Sequence, residues 1–186
     1  MATRPKSNLT VERYLAAYHG AQGRYELVDG TVLKMAAETA RHVRLKGRVF
    51  RAMATAVEKK GVDCEAFMDG MSIKISANTA REPDVSVQCG KSLGDESLLL
   101  DKPLIVIEVV SPSSAAKDES QKLAEYFSVP SIMHYLIVWP DKRMCYHHKR
   151  IANNKVLTTI VRSGKIEFDP PGIVVSTKEI FGEVDR

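Results

Sequence analysis

Glu108 interrupts an otherwise apolar run, Pro103-Leu104-Ile105-Val106-Ile107-Glu108-Val109-Val110. A carboxylate buried in such a strand must be protonated, paired or bound to a cation. Asp84 stands near the head of another short segment opened by proline, Pro83-Asp84-Val85-Ser86-Val87. If the two segments are neighbouring strands, their carboxylates converge at one edge of a sheet. Two carboxylates, a backbone carbonyl and waters compose the oxygen-rich octahedron that Mg²⁺ or Mn²⁺ requires. Asp84 alone has a plain structural reading as a cap or surface ion pair; Glu108 in its apolar setting turns the pair into a metal-site candidate.

A second group of residues shares one helix. Arg41, Arg44, Arg48 and Arg51 recur at steps of three, four and three, which puts the guanidinium groups on one face. Leu45, Val49, Phe50, Met53 and Val57 fill the remaining arc, so the helix is expected to bury one side and present a basic stripe on the other. Such a stripe is either a solvated face or a contact for phosphates. Lys46 falls within the apolar arc near His42, so it can either reach inward or snorkel to solvent, and snorkelling is the expected account. The adjacent His147 and His148 point to opposite faces of a strand and cannot chelate one ion together.

The elements that must position these groups follow from local signals. Thr10 and Glu12 start a short helix with Val11, Tyr14, Leu15 and Tyr18 at amphipathic spacing, stopped by Gly20. Asp29-Gly30 joins Tyr25–Val28 and Thr31–Met35 in a hairpin, and Asp69-Gly70 predicts a second one between Val62–Phe67 and Met71–Ile75. The arginine-striped helix runs from about Thr39 to Lys60 and ends at Gly61. The segments at Pro83 and Pro103 are strands, the second central, followed by a helix over Ala115–Phe127. Tyr135–Trp139 is another central strand with Met144-Cys145-Tyr146 as its hairpin partner. Val156–Val161, Ile173–Val175 and a last turn near Ile180-Phe181 complete the chain. Strands and helices alternate without a strict βαβ repeat, which predicts an α+β domain with a mixed central sheet flanked by helices.

Composition sets the frame. The 186 residues suffice for one domain with a core, and 44% hydrophobic with 27% charged residues is a globular balance. A formal charge of +4 and a pI near 8.9 fall just short of marking a nucleic-acid binder on charge alone. Apolar runs such as Leu104–Ile107 are far below the roughly 20 residues that span a bilayer, and no signal-like segment follows Met1. Three cysteines, Cys64, Cys89 and Cys145, form no CxxC pattern and indicate neither a disulfide framework nor a thiolate zinc site; a reducing cytoplasm is expected.

Glu26 before Asp29-Gly30, His42 on the long helix, Pro83-Asp84-Val85, Val106-Ile107-Glu108-Val109-Val110-Ser111-Pro112-Ser113, and Asp118, Lys122 and Tyr126 together resemble the Uma-two family of restriction-type endonucleases. That family belongs to the PD-(D/E)XK superfamily. The resemblance spans roughly Tyr25 to Tyr146. It implies a single restriction-endonuclease-like domain over 1–186, with a core at about 25–146 and a β-rich C-terminal extension at 147–186. It further implies metal-dependent hydrolysis of DNA phosphodiesters by Glu26, Asp84, Glu108 and Lys122. Asp84, Glu108 and the carbonyl of Val109 would hold Mg²⁺ or Mn²⁺, and Arg41, His42, Arg44, Arg48 and Arg51 would contact DNA. A homodimer is expected, with no membrane partner and no organic cofactor. One departure stands out: the superfamily's lysine two residues after the glutamate is Val110 here, so Lys122 on the following helix is assigned its role, against a plain pairing with Asp118. The competing expectation is a nuclease fold without turnover, kept as a DNA-binding or dimerising module.

Overall fold

A computed structural model describes residues 8–18, 20–110 and 119–183. The N-terminal part runs α1 (Val11–Tyr18), β1 (Tyr25–Val28), β2 (Thr31–Lys34) and α2 (Ala40–Lys60). Next come β3 (Cys64–Met68), β4 (Ile73–Ser76), β5 (Thr79–Arg81), β6 (Val85–Cys89) and β7 (Pro103–Val109). After α3 (Glu119–Ser128), the chain continues through β8 (His134–Trp139), β9 (Met144–Ala152), β10 (Lys155–Val161), β11 (Lys165–Phe168), β12 (Ile173–Ser176) and α4 (Thr177–Phe181).

The central sheet has the order β10-β9-β8-β7-β6-β3, with only β7 and β8 parallel. Helix α2 starts at Thr39, whose hydroxyl accepts the His42 N–H, and ends at Gly61 with φ 68°, a left-handed cap that suits glycine. Its Leu45, Val49 and Met53 pack against Val85, Val87, Ile105 and Ile107, so odd-numbered residues of β6 and β7 face α2. The next residue along turns over: Val106 packs on the other face with Tyr126 of α3 and with Tyr135 and Ile137. Glu108 therefore faces α3. A smaller sheet, β2-β1-β5-β4, brings Glu26 of β1 to this side. The strands β11 and β12 pair with each other, and their Ile166, Phe168, Ile173 and Val175 join the α2 side of the core.

Two expectations are corrected here. Asp69 and Gly70 do take positive φ angles of 48° and 75°, but the flanking strands do not pair with each other. Instead β3 pairs with β6 in the central sheet while β4 pairs with β5 in the smaller one. The turn signal is local and was genuine; burial of Ile73 beside Val106 and Tyr126 takes the outgoing strand elsewhere. The cysteines are also not all free. Cys64 and Cys89 face each other in the β3–β6 register and are disulfide-bonded across 25 residues of sequence, leaving Cys145 as a buried thiol. Spacing alone cannot show this, because it depends on β3 choosing β6 as its partner.

Candidate active site

The β6–β7 ladder aligns Val85 with Ile107 and Ser86 with Val106, and continuing it by one residue sets Asp84 opposite Glu108. The Val109 N–H donates to Asp84 Oδ2 at 2.7 Å and fixes the aspartate against the end of β7. Glu108 Oε1 accepts from Tyr126 Oη at 2.7 Å and lies 3.0 Å from Lys122 Nζ, both on α3. Lys122 Nζ is also 3.9 Å from Glu26 Oε1. Asp84, Glu108, Lys122 and Glu26 are thus gathered at one place. Val110 packs on the α3 side of the sheet, the face that Glu108 shares, and the ammonium that meets Glu108 there is Lys122 of the helix.

Burial pushes Glu108 up to about 7, Lys122 opposes the rise, and the charges of Asp84 and Glu26 add to it. Burial also disfavours the Asp84 carboxylate, but His42, the Val109 N–H and Lys46 outweigh it and hold the group below its usual range. The Glu108 shift is a stability effect with a definite sign. From pH 4.5 to about 7 the folded chain retains a proton that the unfolded chain releases, so stability falls as pH rises through that window. Glu108→Gln has no charge to bury, and relative to wild type it should gain up to ~3 kcal/mol between about pH 5 and pH 8. Urea unfolding of both chains at the two pH values measures this; a pH-independent difference would show that Glu108 is not desolvated.

Glu26 is held by Arg81 Nη1 at 2.9 Å and by the Glu82 N–H at 3.2 Å. Arg81 also grips Glu125 of α3 through Nε at 2.7 Å and Nη2 at 3.1 Å. Only 4% of its side chain is exposed, so one buried guanidinium ties β5 to both the Glu26 carboxylate and the helix bearing Lys122.

Lys46 reverses its expected role. Its side chain is 1% exposed, and Nζ lies 2.7 Å from Glu38 Oε1, 2.8 Å from Asp69 Oδ1 and 3.3 Å from Asp84 Oδ1. It turns inward because three carboxylates from separate segments wait there. Arg24 closes the same network, with Nη1 at 2.5 Å from Glu38, Nη2 at 2.9 Å from Asp69 and Nε at 2.7 Å from Glu82. Sequence reading missed Arg24, Glu38, Asp69, Arg81, Glu82 and Glu125; the one available signal was a lysine lying inside an apolar helical arc.

The donor set suits a divalent cation. Glu26, Glu38, Asp69, Glu82, Asp84, Glu108 and Glu125 are met by Arg24, Lys46, Arg81 and Lys122, which leaves negative charge in excess. Among the described residues, Glu38, His42 and Asp84 form a group whose ligand atoms all lie within 4.8 Å of one another. His42 Nε2 is 3.8 Å from Asp84 Oδ2, which brings it to the site rather than to an outer surface.

The arginine stripe is exposed, but two members have intramolecular partners. Arg41 pairs with Asp141 at 2.6 Å, and Arg48 donates to the Phe181 carbonyl at 3.2 Å. His147 and His148 do diverge, the first to His134 Nδ1 at 2.9 Å and the second to Thr158 Oγ1 at 2.8 Å. Ser111, Pro112, Ser113 and Asp118 lie outside the described residues.

A family model, Uma2, described as "Putative restriction endonuclease", matches residues 11–174. Two proteins of Synechocystis sp. (strain ATCC 27184 / PCC 6803 / Kazusa) are each 26% identical to the chain. Uncharacterized protein sll1609 aligns over 86% of this chain and 92% of its own length, and uncharacterized protein slr1290 over 95% and 93%. The fold is similar to that of a crystal structure described as "a putative nuclease belonging to DUF820" from Anabaena variabilis ATCC 29413. The TM-score is 0.67 at 15% identity, covering 93% of this chain and 97% of that one. The expected α+β fold with a restriction-endonuclease-like core is the fold found.

Proposed function

The chain belongs to the Uma2 family of restriction-endonuclease-like proteins, and from that premise we propose that it hydrolyses DNA phosphodiester bonds with the help of Mg²⁺ or Mn²⁺. The observation that carries the proposal is Asp84 fixed by the Val109 N–H at 2.7 Å, beside Glu108, with the Lys122 ammonium 3.0 Å from the glutamate. Asp84, Glu108 and the Val109 carbonyl would hold the ion, and Glu38 and His42 extend the donor set. When bound, the ion supplies Lewis acidity toward a phosphoryl oxygen. Lys122 would orient the attacking water and offset charge growing on the phosphate. Glu26, kept in place by Arg81, would take up a proton from that water. Tyr126 donates to Glu108 Oε1 and limits the orientations open to that carboxylate. Outside the cleft, Arg41, Arg44, Arg48 and Arg51 would contact phosphates in a sequence-independent way.

Supercoiled and single-stranded DNA incubated with the pure protein should be cut when Mg²⁺ or Mn²⁺ is present and left intact when a chelator is added. The second reading, a DNA-binding or dimerising module without turnover, is favoured by one observation, the apolar Val110 at the usual lysine position. It predicts DNA binding indifferent to chelator and no cleavage with either ion. Cutting both strands of a duplex with one centre per chain calls for two chains. Light scattering at micromolar concentration should therefore give twice the chain mass of 20.6 kDa, and a monomer would count against paired cleavage.

A further inference from the structure

Sharing Arg24, Asp69 and Glu82 with the Lys46 network is a cavity of about 490 Å³ that the hydrolytic proposal does not use. Its lining includes Tyr14, Tyr18 and Tyr25 together with Arg24, Asp69 and Glu82. The tyrosines form one cluster: the Tyr14 and Tyr18 rings stack at 5.5 Å with 29° between planes, and Tyr18 meets Tyr25 at 5.0 Å. Two of these hydroxyls are already committed, Tyr14 Oη to the Tyr25 carbonyl at 2.6 Å and Tyr25 Oη to the Gln22 carbonyl at 2.9 Å. Tyr14 is 5% exposed, so the ring surface on offer is that of Tyr18 and Tyr25, braced by Tyr14. Rings already held in place lose little entropy when something stacks on them.

The rest of the lining includes polar groups. Arg24 Nη2 is buried and has no hydrogen-bond partner; its 2.9 Å approach to Asp69 Oδ1 is an ion pair without hydrogen-bond alignment. Glu82 and Asp69 add acceptor oxygens. A flat, neutral ligand with donors and acceptors around its edge fits such a space, and a phosphate does not, because the carboxylates outnumber the guanidinium there. Nucleobases have that form. The position fits as well: Asp69 Oδ1 is 2.8 Å from Lys46 Nζ, which is 3.3 Å from Asp84. A base seated in the cavity would leave its own sugar-phosphate next to the proposed centre.

We propose that this cavity receives one unstacked nucleobase adjoining the scissile phosphate, which makes single-stranded or locally unpaired DNA the preferred substrate. The inference rests on the nuclease reading and adds the substrate form to it. A base inside a duplex must first leave its stack, at a cost that a single strand largely avoids.

The test is a titration of the full chain, in chelator and low salt, with a short single-stranded oligonucleotide carrying one 2-aminopurine. Anisotropy reports binding, and 2-aminopurine emission reports stacking. The emission should change on saturation, and replacing the 2-aminopurine by an abasic residue should weaken binding to the wild-type chain. Tyr18→Ala should bind about tenfold more weakly and lose the emission change, while Tyr18→Phe, which keeps the ring, should match wild type. Equal affinity for the abasic strand, or unchanged emission at saturation, overturns the proposal without relying on any variant. If wild type cuts DNA in Mn²⁺ while Tyr18→Ala binds and cuts normally, the base site alone fails. If wild type neither binds nor cuts DNA, the nuclease reading fails and the base site with it.

Discussion

Glu108→Ala should abolish Mn²⁺ binding and DNA cleavage together, whereas Lys122→Ala should bind the ion nearly as well as wild type and cut about a hundredfold more slowly. The two defects differ because the groups act at different stages. Glu108 is a proposed ligand, and removing it removes both the ion and whatever depends on it. The Lys122 ammonium is 3.0 Å from Glu108 Oε1 and 3.9 Å from Glu26 Oε1, where it faces both carboxylates without being a ligand itself. A charge acting mainly on the transition state lowers the rate by ~3 kcal/mol when lost, leaving ground-state binding intact. Lys122→Ala should have a second signature. Lys122 opposes the upward shift of Glu108, so its loss drives that group further up and moves the acid limb of the pH–rate profile to higher pH, and ion affinity should match wild type only above that limb, where Glu108 is ionised. Calorimetry with Mn²⁺ and single-turnover cleavage measure the pair. Full activity in Lys122→Ala would transfer the lysine role to Lys46, which stands beside the other proposed ligand.

How much of this was legible depended on the range over which each feature is encoded. The Asp29-Gly30 hairpin and the ends of α2 at Thr39 and Gly61 were readable because turn and cap chemistry is settled within a few residues. Glu108 was readable for a related reason: a single charge in an apolar run conflicts with its neighbours, and the conflict itself marks the site. What could not be read were pairings between distant segments. The Asp69-Gly70 turn was right in conformation and wrong in partner, since β3 and β4 belong to different sheets. The Cys64–Cys89 bond follows from that same partner choice. Arg81 gave no warning, because Thr79-Ala80-Arg81 has no periodicity to distinguish a buried strand from a loop, although all three residues are buried. Lys46 was visible as an anomaly, but its meaning lay in Glu38, Asp69 and Asp84.

Replacing that lysine should cost the fold substantial stability, and the pH dependence of the loss identifies its cause. Methionine fills a similar volume without charge, so Lys46→Met leaves the packing of α2 nearly intact and removes the cation facing Glu38, Asp69 and Asp84. Burial works against the Lys46 charge, yet these carboxylates outweigh it and hold its ammonium above the usual range. Breaking one side of a buried ion cluster costs about 3–5 kcal/mol. The lower end applies here, because the side chains of Glu38 and Asp69 keep 21% and 29% exposure and Arg24 remains bound to both. At neutral pH, Lys46→Met should therefore lose ~3 kcal/mol in urea unfolding. The sign with pH follows from Asp84, whose carboxyl is held below 3.8 in the fold: its stabilisation is present above that value and is lost as pH falls through the depressed one. Lys46 lowers both Asp84 and Asp69, so without the ammonium these two carboxyls take up protons at higher pH, and the deficit of Lys46→Met should shrink steadily on acidification. Mn²⁺ should restore part of the loss in Lys46→Met and none in Lys46→Met/Asp84→Asn, because only a ligand carboxylate left without its ammonium can exchange that partner for the ion. A deficit that stays constant from neutral to acid pH would instead mean that the cost lies in packing, and that Lys46 does not hold the charge balance of the site.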